Sequence, residues 1–523
     1  MVGLFGIVAL GCAVVARQAP ATQSRPPILD YIKRAWATFR RSNQDLASAA
    51  VDSKQPPPAD GRWPVYISRT EDAARVTQSL RAAMKTADFD KIEIRTLPAA
   101  GQPISDHGLL YLPRPYVVPG SRFNEMYGWD SFFIAMGLIR DGDVDLARDM
   151  ADNLLYEIRQ YGMVLNANRT YYLTRSQPPL LTETLLRVYE STHDRKWLED
   201  AIPVIEEYYR YWTREPHLTP ETGLSRYYDL GDGPAPEVVA AERTHGKDEY
   251  DLIREYFRTH RITDYDASRF YDAAHDRLTA HFYKGDRSMR ESGFDPSNRF
   301  GPFSADIVHY NPVCLNTLLY LMETQTAETL EIAGRGGDAE AWRERARQRA
   351  SRINQYLWDP DRGMYFDYNF ELRQVRRYPF LTTFYPLWAG IATQEQAMRV
   401  VRNLRLFERP GGLETSTVTS GDQWDAPFGW APLQWIAVQA LRRYGYGAEA
   451  DGISERFLSL VLQEYGKQGD IMEKYDVVHR RSDVARRLVY GYHSNEAGFG
   501  WTNAVFTALF DELPAAARQQ LGP

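Results

Sequence analysis

The feature that most constrains the fold of this 523-residue chain is a series of paired amphipathic segments. Within one of them, apolar residues recur three or four positions apart, at Leu146, Met150, Leu154 and Ile158. That spacing predicts helices that each bury one face. The predicted pairs are Asp130–Ile139 with Val144–Tyr161, Leu180–Thr192 with Lys196–Thr213, Pro312–Thr324 with Ala339–Leu357, Thr382–Ile391 with Thr393–Leu404, and Pro432–Tyr444 with Ala448–Tyr465, followed by Gly500–Leu513. The pattern therefore predicts a mostly helical protein built from hairpins.

Loops rich in Gly, Pro and Trp precede the first helix of most pairs. They are Gly120–Trp129, Arg175–Pro179, Phe300–Asn311, Trp424–Pro432 and Phe499–Trp501. Helices wound into a double ring would bring these loops together at one end and form a pocket. No alternation strong enough for a large sheet is present. Short strands are expected near Pro64–Ile67 and Gly363–Tyr368.

The N-terminal segment has the pattern of a leader. Its apolar run Val2–Ala16 is too short to span a bilayer but fits the apolar region of a secretory signal, although no Lys or Arg precedes it. The run Ala9-Leu-Gly-Cys12 resembles a lipoprotein cleavage box, which makes Cys12 a candidate for an N-terminal lipid anchor. We predict a signal peptide and linker over residues 1–27 and a periplasmic or secreted location, with no other membrane contact.

Composition and motifs exclude several classes of protein. The net charge is −7 and no basic run occurs, so no nucleic-acid partner is expected. Cys12 and Cys314 are the only cysteines of the sequence, which excludes a disulfide framework and a cysteine zinc site. The sequence has no Gly-Xaa-Ser-Xaa-Gly elbow, Walker loop or His-Glu-Xaa-Xaa-His pair. Asp359–Asp367 lacks the ligand spacing of an EF-hand, and we interpret it as a solvated turn.

Two runs place tryptophan beside a carboxylate and are interrupted by Gly and Pro. They are Pro119-Gly-Ser-Arg-Phe-Asn-Glu-Met-Tyr-Gly-Trp-Asp130 and Gln423-Trp-Asp-Ala-Pro-Phe-Gly-Trp-Ala-Pro432. Such runs suit a pocket that stacks sugar rings on indoles and holds hydroxyls with charged acceptors. The alternative is buried Trp at helix starts with Asp as the N-cap residue. Two long runs of this kind favour the sugar pocket.

Two further acidic runs are candidates for the chemistry. They are Arg290-Glu-Ser-Gly-Phe-Asp-Pro-Ser-Asn-Arg299 and Ile471-Met-Glu-Lys-Tyr-Asp-Val477. Hydrolysis of a glycosidic bond with inversion needs two carboxyl groups roughly 6.5–9.5 Å apart. Phe294 would help to desolvate Asp295 and raise its pKa, whereas Lys474 could orient Glu473. The residues alone leave two alternatives open: Asp295 as a turn or cap residue, and Glu473 as an exposed strand residue.

These runs, together with Gly498-Phe-Gly-Trp-Thr-Asn503, resemble the motifs of the trehalase family, inverting glycoside hydrolases that split the α,α-1,1 bond between two glucoses. The resemblance implies an all-α fold, an (α/α)6 toroid of paired helices with irregular loops and a few short strands, as one catalytic domain over residues 28–523. It implies hydrolysis of α,α-trehalose to two glucoses with inversion and no cofactor. Asp295 would be the general acid and Glu473 the general base.

The resemblance also implies a set of sugar contacts and shows three departures. The substrate-binding positions that it implies are Arg122, Phe123, Trp129, Asp130, Asn166, Arg175, Ser176, Gln177, Glu237, Gly293, Trp424 and Glu496. Phe294 stands where the family usually has Trp, and Ala235 where many bacterial members have Arg. A non-glycine loop, 486–497, replaces a glycine-rich stretch, and we expect it to cover the site as a stiffer lid. A related hydrolase of another α-glucoside and a non-catalytic sugar-binding module are the alternatives.

Overall fold

The computed structural model describes residues 26–99, 101–239, 247–484, 490 and 494–522, and the predicted signal peptide and Cys12 lie outside them. The helices in these residues are α1 (Ile28–Phe39), α2 (Leu46–Ala50), α3 (Ala73–Ala83), α4 (Thr86–Phe89), α5 (Asp130–Arg140), α6 (Val144–Tyr161), α7 (Leu181–Thr192), α8 (Arg195–Trp212), α9 (Pro236–Val239), α10 (Glu249–Thr259), α11 (Ala280–Glu291), α12 (Val313–Ile332), α13 (Gly336–Tyr356), α14 (Tyr385–Trp388), α15 (Gln394–Arg402), α16 (Ala431–Arg443), α17 (Gly447–Gln468), α18 (Gly500–Glu512) and α19 (Ala515–Leu521). No helix in this part of the chain is long and apolar enough to cross a membrane.

Six of these helices form a closed inner ring. Helix α5 packs against α7, α7 against α12, α12 against α14, α14 against α16, α16 against α18, and α18 against α5. Helices α6, α8, α13 and α17 pack outside this ring against the helices that precede or follow them in the chain. This arrangement is the (α/α)6 toroid expected from the resemblance, and the fold prediction is confirmed.

The two layers differ in which faces they bury. In α5, both faces are buried, and Phe132, Phe133 and Leu138 pack into the core on different sides. In α6, the apolar stripe identified in the sequence is buried together with some neighbouring residues, whereas Asp145 and Arg159 are exposed. An inner helix touches neighbours all round, whereas an outer helix keeps one face in solvent. The predicted bounds are accurate for α6, but α12 continues beyond the predicted Thr324 to Ile332, where the buried residues include the polar Thr326 and Thr329.

The strands are short and mostly join neighbouring loops. They are β1 (Arg40–Arg41), β2 (Trp63–Ile67), β3 (Ile92–Thr96), β4 (Leu109–Leu110), β5 (Tyr116–Val117), β6 (Leu218–Thr219), β7 (Leu224–Ser225), β8 (Tyr271–Asp272), β9 (Arg277–Leu278), β10 (Tyr310–Asn311), β11 (Trp358–Asp359), β12 (Met364–Tyr365), β13 (Asp367–Asn369), β14 (Gln374–Arg376), β15 (Glu408–Arg409), β16 (Gly412–Leu413), β17 (Phe428–Trp430) and β18 (Lys474–Asp476). Both predicted strand regions are present, and β2 is the centre of a parallel sheet with β3 and β4. The antiparallel pair β17–β18 places Trp430 opposite Lys474.

A second, smaller apolar cluster lies beside the ring and was not predicted. Helices α10 and α11 supply Tyr250, Ile253, Phe257 and Phe282, and the segments around them supply the other members. Tyr490 of the 486–497 loop packs against this cluster, with its ring centroid 4.8 Å from that of Phe303. Tyr490 of the expected lid is therefore packed against a cluster that lies outside the helical ring.

Candidate active site

One cavity of about 400 Å³ opens where the inner helices begin. Trp129 and Asp130 at the start of α5, Trp430 before α16 and Trp501 at the start of α18 line it together. A cavity of this size is within the usual range for small-molecule sites. The toroid therefore brings together at one end the motif loops that are hundreds of residues apart in sequence.

Four indoles form one wall of the cavity. Trp424 and Trp430 stack with ring centroids 3.8 Å apart and an interplanar angle of 6°. Trp129 lies 5.9 Å from Trp424 and 5.6 Å from Trp501. Mutual packing fixes the orientation of these rings, so they offer a rigid apolar surface. The N-cap alternative does not apply to Asp130, because Trp129 is the N-cap residue of α5 and no side chain caps this helix.

The carboxyl group of Asp295 faces the cavity and is one-third exposed. Desolvation by the surrounding protein raises the pKa of Asp295 to about 7, against the opposing charges of Arg290 and Arg175. Its Oδ2 lies 3.8 Å from Arg290 Nη1, too far for a hydrogen bond. A carboxyl group with this pKa can hold a proton near neutral pH and deliver it.

Arg290 is shared among several carboxylates, which limits its effect on Asp295. Its Nη2 lies 3.0 Å from Asp286 and 3.0 Å from Glu249, closer than its Nη1 lies to Asp295. Arg290 belongs to the last turn of α11, five residues before Asp295. It opens the acidic run quoted above, but only the structure shows that its side chain reaches the cavity.

Glu473, the residue before β18, reaches the same cavity and is held differently. Its Oε2 accepts a hydrogen bond from Lys474 Nζ at 3.0 Å, and both side chains are almost fully buried. Lys474 Nζ also donates to Gln423 Oε1 at 3.1 Å. The Glu473 backbone N–H donates to the carbonyl of Glu496, and its carbonyl accepts from Trp501 Nε1. These contacts fix both the backbone and the carboxylate of Glu473.

Asp130 lies within electrostatic reach of both of these carboxyls. Burial raises the pKa of Asp130 well above its usual range, and the negative charges of Glu473 and Asp295 add to the effect. A buried carboxyl beside two others favours the protonated form because like charges repel in a poorly solvated site. Asp130 can therefore present an O–H donor to the cavity at neutral pH.

Arg175 and Glu237 form a buried ion pair on another wall. Arg175 Nη2 lies 2.6 Å from Glu237 Oε1, and Arg175 Nε donates to Asp229 Oδ2 at 2.9 Å. The charges of Arg175 and Arg290 hold the pKa of Glu237 below its usual value despite burial, which alone would raise it. Glu237 Oε2 is buried without a hydrogen-bond partner in the described residues and is available to accept from a ligand. Asn166 joins this wall through its backbone N–H, which donates to the Arg175 carbonyl at 2.8 Å.

The opposite rim carries Arg122, Phe123 and Glu496. Arg122 Nε lies 3.6 Å from Glu496 Oε1, and Ser494 Oγ donates to the same oxygen at 2.6 Å. Phe123 lies under the Arg122 guanidinium at 5.3 Å. Of the expected lid, Tyr490, Ser494 and Glu496 line the cavity. Tyr492 and His493 lie outside the described residues.

Apart from Glu473, which lines the cavity, thirteen residues were predicted for the site; twelve of them line the cavity and one, Ser176, does not. Ser176 is fully buried behind the cavity, where its Oγ donates to the carbonyl of Val164 and its N–H to Glu291. The lining residues are Arg122, Phe123, Trp129, Asp130, Asn166, Arg175, Gln177, Glu237, Gly293, Asp295, Trp424 and Glu496. Gln177 Oε1 accepts from the Trp129 N–H at 2.9 Å and so orients the first motif.

Asp425, in the second tryptophan run, supports the loop of Asp295 and does not line the cavity. Its Oδ1 accepts from Tyr378 and Ser416, and its Oδ2 accepts from Ser420 and the Asn298 N–H, all at 2.6–2.9 Å. The neighbouring Gln423 donates through Nε2 to the carbonyl of Asp295. The charged acceptor of this run is therefore used to hold the loop 295–298.

Lining residues that the sequence patterns did not identify include Lys54, Tyr172, Glu249 and Arg290. Lys54 and Glu249 belong to segments outside the helix pairs, where no periodic signal points to a site. Arg290 could have been found from its position within a quoted run. In the described residues, no group of three or more His, Cys, Asp or Glu is arranged to hold a metal ion.

A helical double ring with two carboxyls in a tryptophan-lined cavity is typical of a class of glycoside hydrolases. A family model described as Trehalase matches residues 18–514, and the chain belongs to the trehalase family. It is 36% identical over 455 residues to the cytosolic neutral trehalase of Pyricularia oryzae and 36% identical over 446 residues to that of Saccharomyces cerevisiae. Each match covers 78% of this chain, and 60% and 58% of the relatives, respectively.

Solved structures agree with this family. The neutral trehalase of Saccharomyces cerevisiae superposes with a TM-score of 0.77 at 30% identity, covering 95% of this chain and 96% of that structure. A mannosylglycerate hydrolase from Thermus thermophilus gives a TM-score of 0.51 at 18% identity, over 75% of this chain and 95% of that one, and shares the fold. This chain spans about three-fifths of the length of the curated relatives named above.

The prediction of a signal peptide and of a periplasmic or secreted location is wrong in the light of these relatives. Both curated sequences are named cytosolic neutral trehalases. The prediction depended on the apolar run Val2–Ala16, which has no positive residue before it. An apolar run of this length is not specific to secretion, because a buried or interfacial segment can have the same composition.

Proposed function

We propose that this protein hydrolyses α,α-trehalose to two molecules of glucose with inversion at the attacked carbon. The observation that carries the proposal is that Asp295 and Glu473 line one tryptophan-walled cavity in contrasting surroundings. One carboxyl has its pKa raised by desolvation, and the other is held by a buried lysine. An inverting glycosidase needs one carboxyl that gives a proton to the leaving oxygen and one that takes a proton from water. The names of the relatives supply the substrate.

In the proposed reaction, Asp295 donates its proton to the oxygen that bridges the two sugars while the bond from that oxygen to one anomeric carbon breaks. Glu473 takes a proton from a water molecule, whose oxygen forms the new bond to the same carbon from the opposite face. One glucose leaves as the α-anomer and the other is formed as the β-anomer. A second proton exchange with solvent restores both carboxyls.

The sugar contacts are proposed on the same basis. Arg122, Arg175 and Asn166 would donate to hydroxyls, and Glu237 and Glu496 would accept from them. Trp129, Phe123 and Trp424 offer apolar faces to the sugar rings. The partner proposed is therefore a small disaccharide, and the net charge of −7 gives no support to a nucleic acid.

The test is a comparison of substrates with product analysis. Purified protein is incubated with trehalose, maltose, kojibiose and sucrose, and released glucose is measured. Proton NMR in the first minutes of the trehalose reaction should show α- and β-glucose in equal amounts, before mutarotation mixes them. Release of α-glucose alone would indicate retention, and release from another α-glucoside but not trehalose would assign the site to the related hydrolase considered above.

A further inference from the structure

The N-terminal segment contributes one cation to the cavity from outside the helical ring. Lys54 and Ser53 follow α2 and line the cavity together with the residues of the motifs. Buried Arg169 fixes this segment, because its guanidinium donates to the carbonyls of Ala49, Ala50 and Val51 at 2.8–3.1 Å. The position of Lys54 is thus set by a network that the helix pairs alone do not provide.

The Lys54 ammonium is surrounded by aromatic rings. Its Nζ lies 5.5 Å from the ring centroids of Phe123 and Tyr127 and 5.8 Å from that of Tyr172. It donates to the Tyr127 hydroxyl at 2.7 Å, and no ion pair of Lys54 occurs among the described residues. Ring faces attract a cation without neutralising it. Burial opposes the charge, but Tyr172, Glu125 and Asp52 outweigh it and raise the pKa of Lys54, so the ammonium stays protonated.

An ammonium has three N–H donors, of which Tyr127 takes one. The remaining donors belong to a group that lines the cavity, on the wall formed by Phe123 and Tyr172. Tyr172 also carries the guanidinium of Arg175 over its ring, at 5.2 Å. Lys54 and Arg175 therefore flank one aromatic ring, and both lie where a sugar hydroxyl can meet them.

We propose that Lys54 is a substrate-binding residue, which donates a hydrogen bond to a hydroxyl of the glucosyl ring held against Phe123 and Tyr172. The proposal rests on the function proposed above. A purely structural lysine would explain the bond to Tyr127 but not the place of its ammonium in the cavity wall. The aromatic surroundings keep the charge available for a neutral polyol, whereas a carboxylate partner would occupy its donors.

The first experiment measures steady-state hydrolysis of trehalose by Lys54→Met, Lys54→Arg and Lys33→Met. Loss of a hydrogen bond from a charged donor is expected to raise KM about 10- to 100-fold in Lys54→Met, with a smaller change in kcat. Lys54→Arg keeps the charge and should show an intermediate KM. Lys33→Met removes a lysine from the exposed face of α1 and should leave both constants unchanged.

The second experiment identifies direct contact. Trehalose analogues that lack one hydroxyl at a time are assayed with the wild type and Lys54→Met. For the hydroxyl that Lys54 contacts, removal should raise KM in the wild type but have little further effect in Lys54→Met. The other hydroxyls should show equal factors in both proteins. Such non-additivity between a side chain and one substrate group is not produced by a general loosening of the fold.

Equal factors for every analogue in both proteins, or an unchanged KM in Lys54→Met with an unaltered melting temperature, would overturn the proposal. The proposed function fails separately, if the wild type releases no glucose from trehalose. The Lys54 comparison is then made with the α-glucoside of the panel that is cleaved, using its own deoxy analogues. The two failures are therefore distinguishable.

Discussion

The two carboxyls proposed as acid and base, Asp295 and Glu473, are supported in opposite ways. Asp295 lies on a loop, is one-third exposed, and has its nearest cation, Arg290, at 3.8 Å. Glu473 directly precedes β18, is almost fully buried, and has Lys474 at 3.0 Å. Arg290 forms closer ion pairs with Asp286 and Glu249, each at 3.0 Å, than with Asp295. The nearest cation of Asp295 is therefore distant and shared, whereas that of Glu473 is close and buried.

The proposed roles of Asp295 as acid and Glu473 as base are therefore based on the surroundings of each carboxyl, since residue type alone does not distinguish them. Desolvation raises the pKa of Asp295 to about 7, which suits a general acid near neutral pH. Glu473 is instead held in place by the buried ammonium of Lys474 at 3.0 Å, which suits a general base that must be oriented toward a water molecule. Each side of the comparison can be altered separately by substitution.

The largest effect is expected from removing either carboxyl. Asp295→Asn and Glu473→Gln should each lower kcat by about 10²–10⁴-fold, because general acid and base catalysis contribute on that scale. Steady-state assays with trehalose and thermal melting would measure this. Asp338→Asn and Glu340→Gln, on the exposed face of α13, serve as controls and should retain full activity. Near-normal turnover in a carboxyl variant with unchanged melting would remove that residue from the chemistry.

A smaller but still large effect is expected on the Glu473 side from Lys474→Met. Removing one partner of a buried ion pair costs about 3–5 kcal/mol of stability. The displaced carboxylate should lower kcat by about 10²-fold, since small misplacements of a catalytic group have effects of that size. Denaturant unfolding and kinetics would measure the two losses.

The matched control for this variant is Lys196→Met, which removes an exposed lysine that pairs with Asp200 on α8. Surface pairs contribute little, so this control should change neither stability nor kcat measurably. Wild-type kcat in Lys474→Met would show that Glu473 does not need its lysine, and the contrast between the two carboxyls would lose its basis.

On the Asp295 side, the expected effect comes from the support of its loop. Asp425→Asn places an amide nitrogen against two of the four donors that now bond to the carboxylate. We expect a loss of about 1–3 kcal/mol in stability and about tenfold in kcat. Ser420→Ala removes one donor only and should show a graded, smaller change. Equal kcat in both variants and the wild type would mean that this loop does not position Asp295.

The smallest predicted effect is a shift in pH dependence. In the proposed reaction Asp295 acts in its protonated form, so kcat/KM should be highest below pH 7 and should fall as the pH rises through about 7. Glu249→Gln leaves Arg290 less compensated, which lowers the pKa of Asp295 and moves the falling limb to lower pH, by less than about one unit. The charges of Arg175, Glu237 and Asp130 also affect the pKa of Asp295, and these three residues are the same in the wild type and the variant.

The control for the pH experiment is Glu255→Gln, an exposed position on the same helix that pairs with Lys247. The falling limb of its kcat/KM profile against pH should coincide with that of the wild type. A limb that moves to higher pH in Glu249→Gln, or does not move at all, would show that the sharing of Arg290 does not set the protonation of Asp295.

Much of the fold follows from local patterns in the sequence. The stripe of Leu146, Met150, Leu154 and Ile158 predicts α6 with its observed bounds, because apolar spacing reports a buried helical face directly. The same reasoning ends α12 too early, at Thr324, because the buried residues that follow include the polar Thr326 and Thr329. It missed α10 and α11, which bury their apolar residues in a separate small cluster. The site residues were named through motif resemblance, and their roles stay predictions.

The sequence by itself determined the helix pairs, the order of the motif loops and the presence of acidic and tryptophan-rich runs, because these depend on residues close together in the chain. Only the tertiary structure decided which of those residues share a cavity. In the structure, Asp425 accepts hydrogen bonds from a neighbouring loop and does not line the cavity, and Ser176 is buried behind the cavity wall. Lys54 lines the cavity although it belongs to a segment outside the ring. Burial and the distance between charges arise when remote segments pack together, and these quantities control protonation and ligand contact.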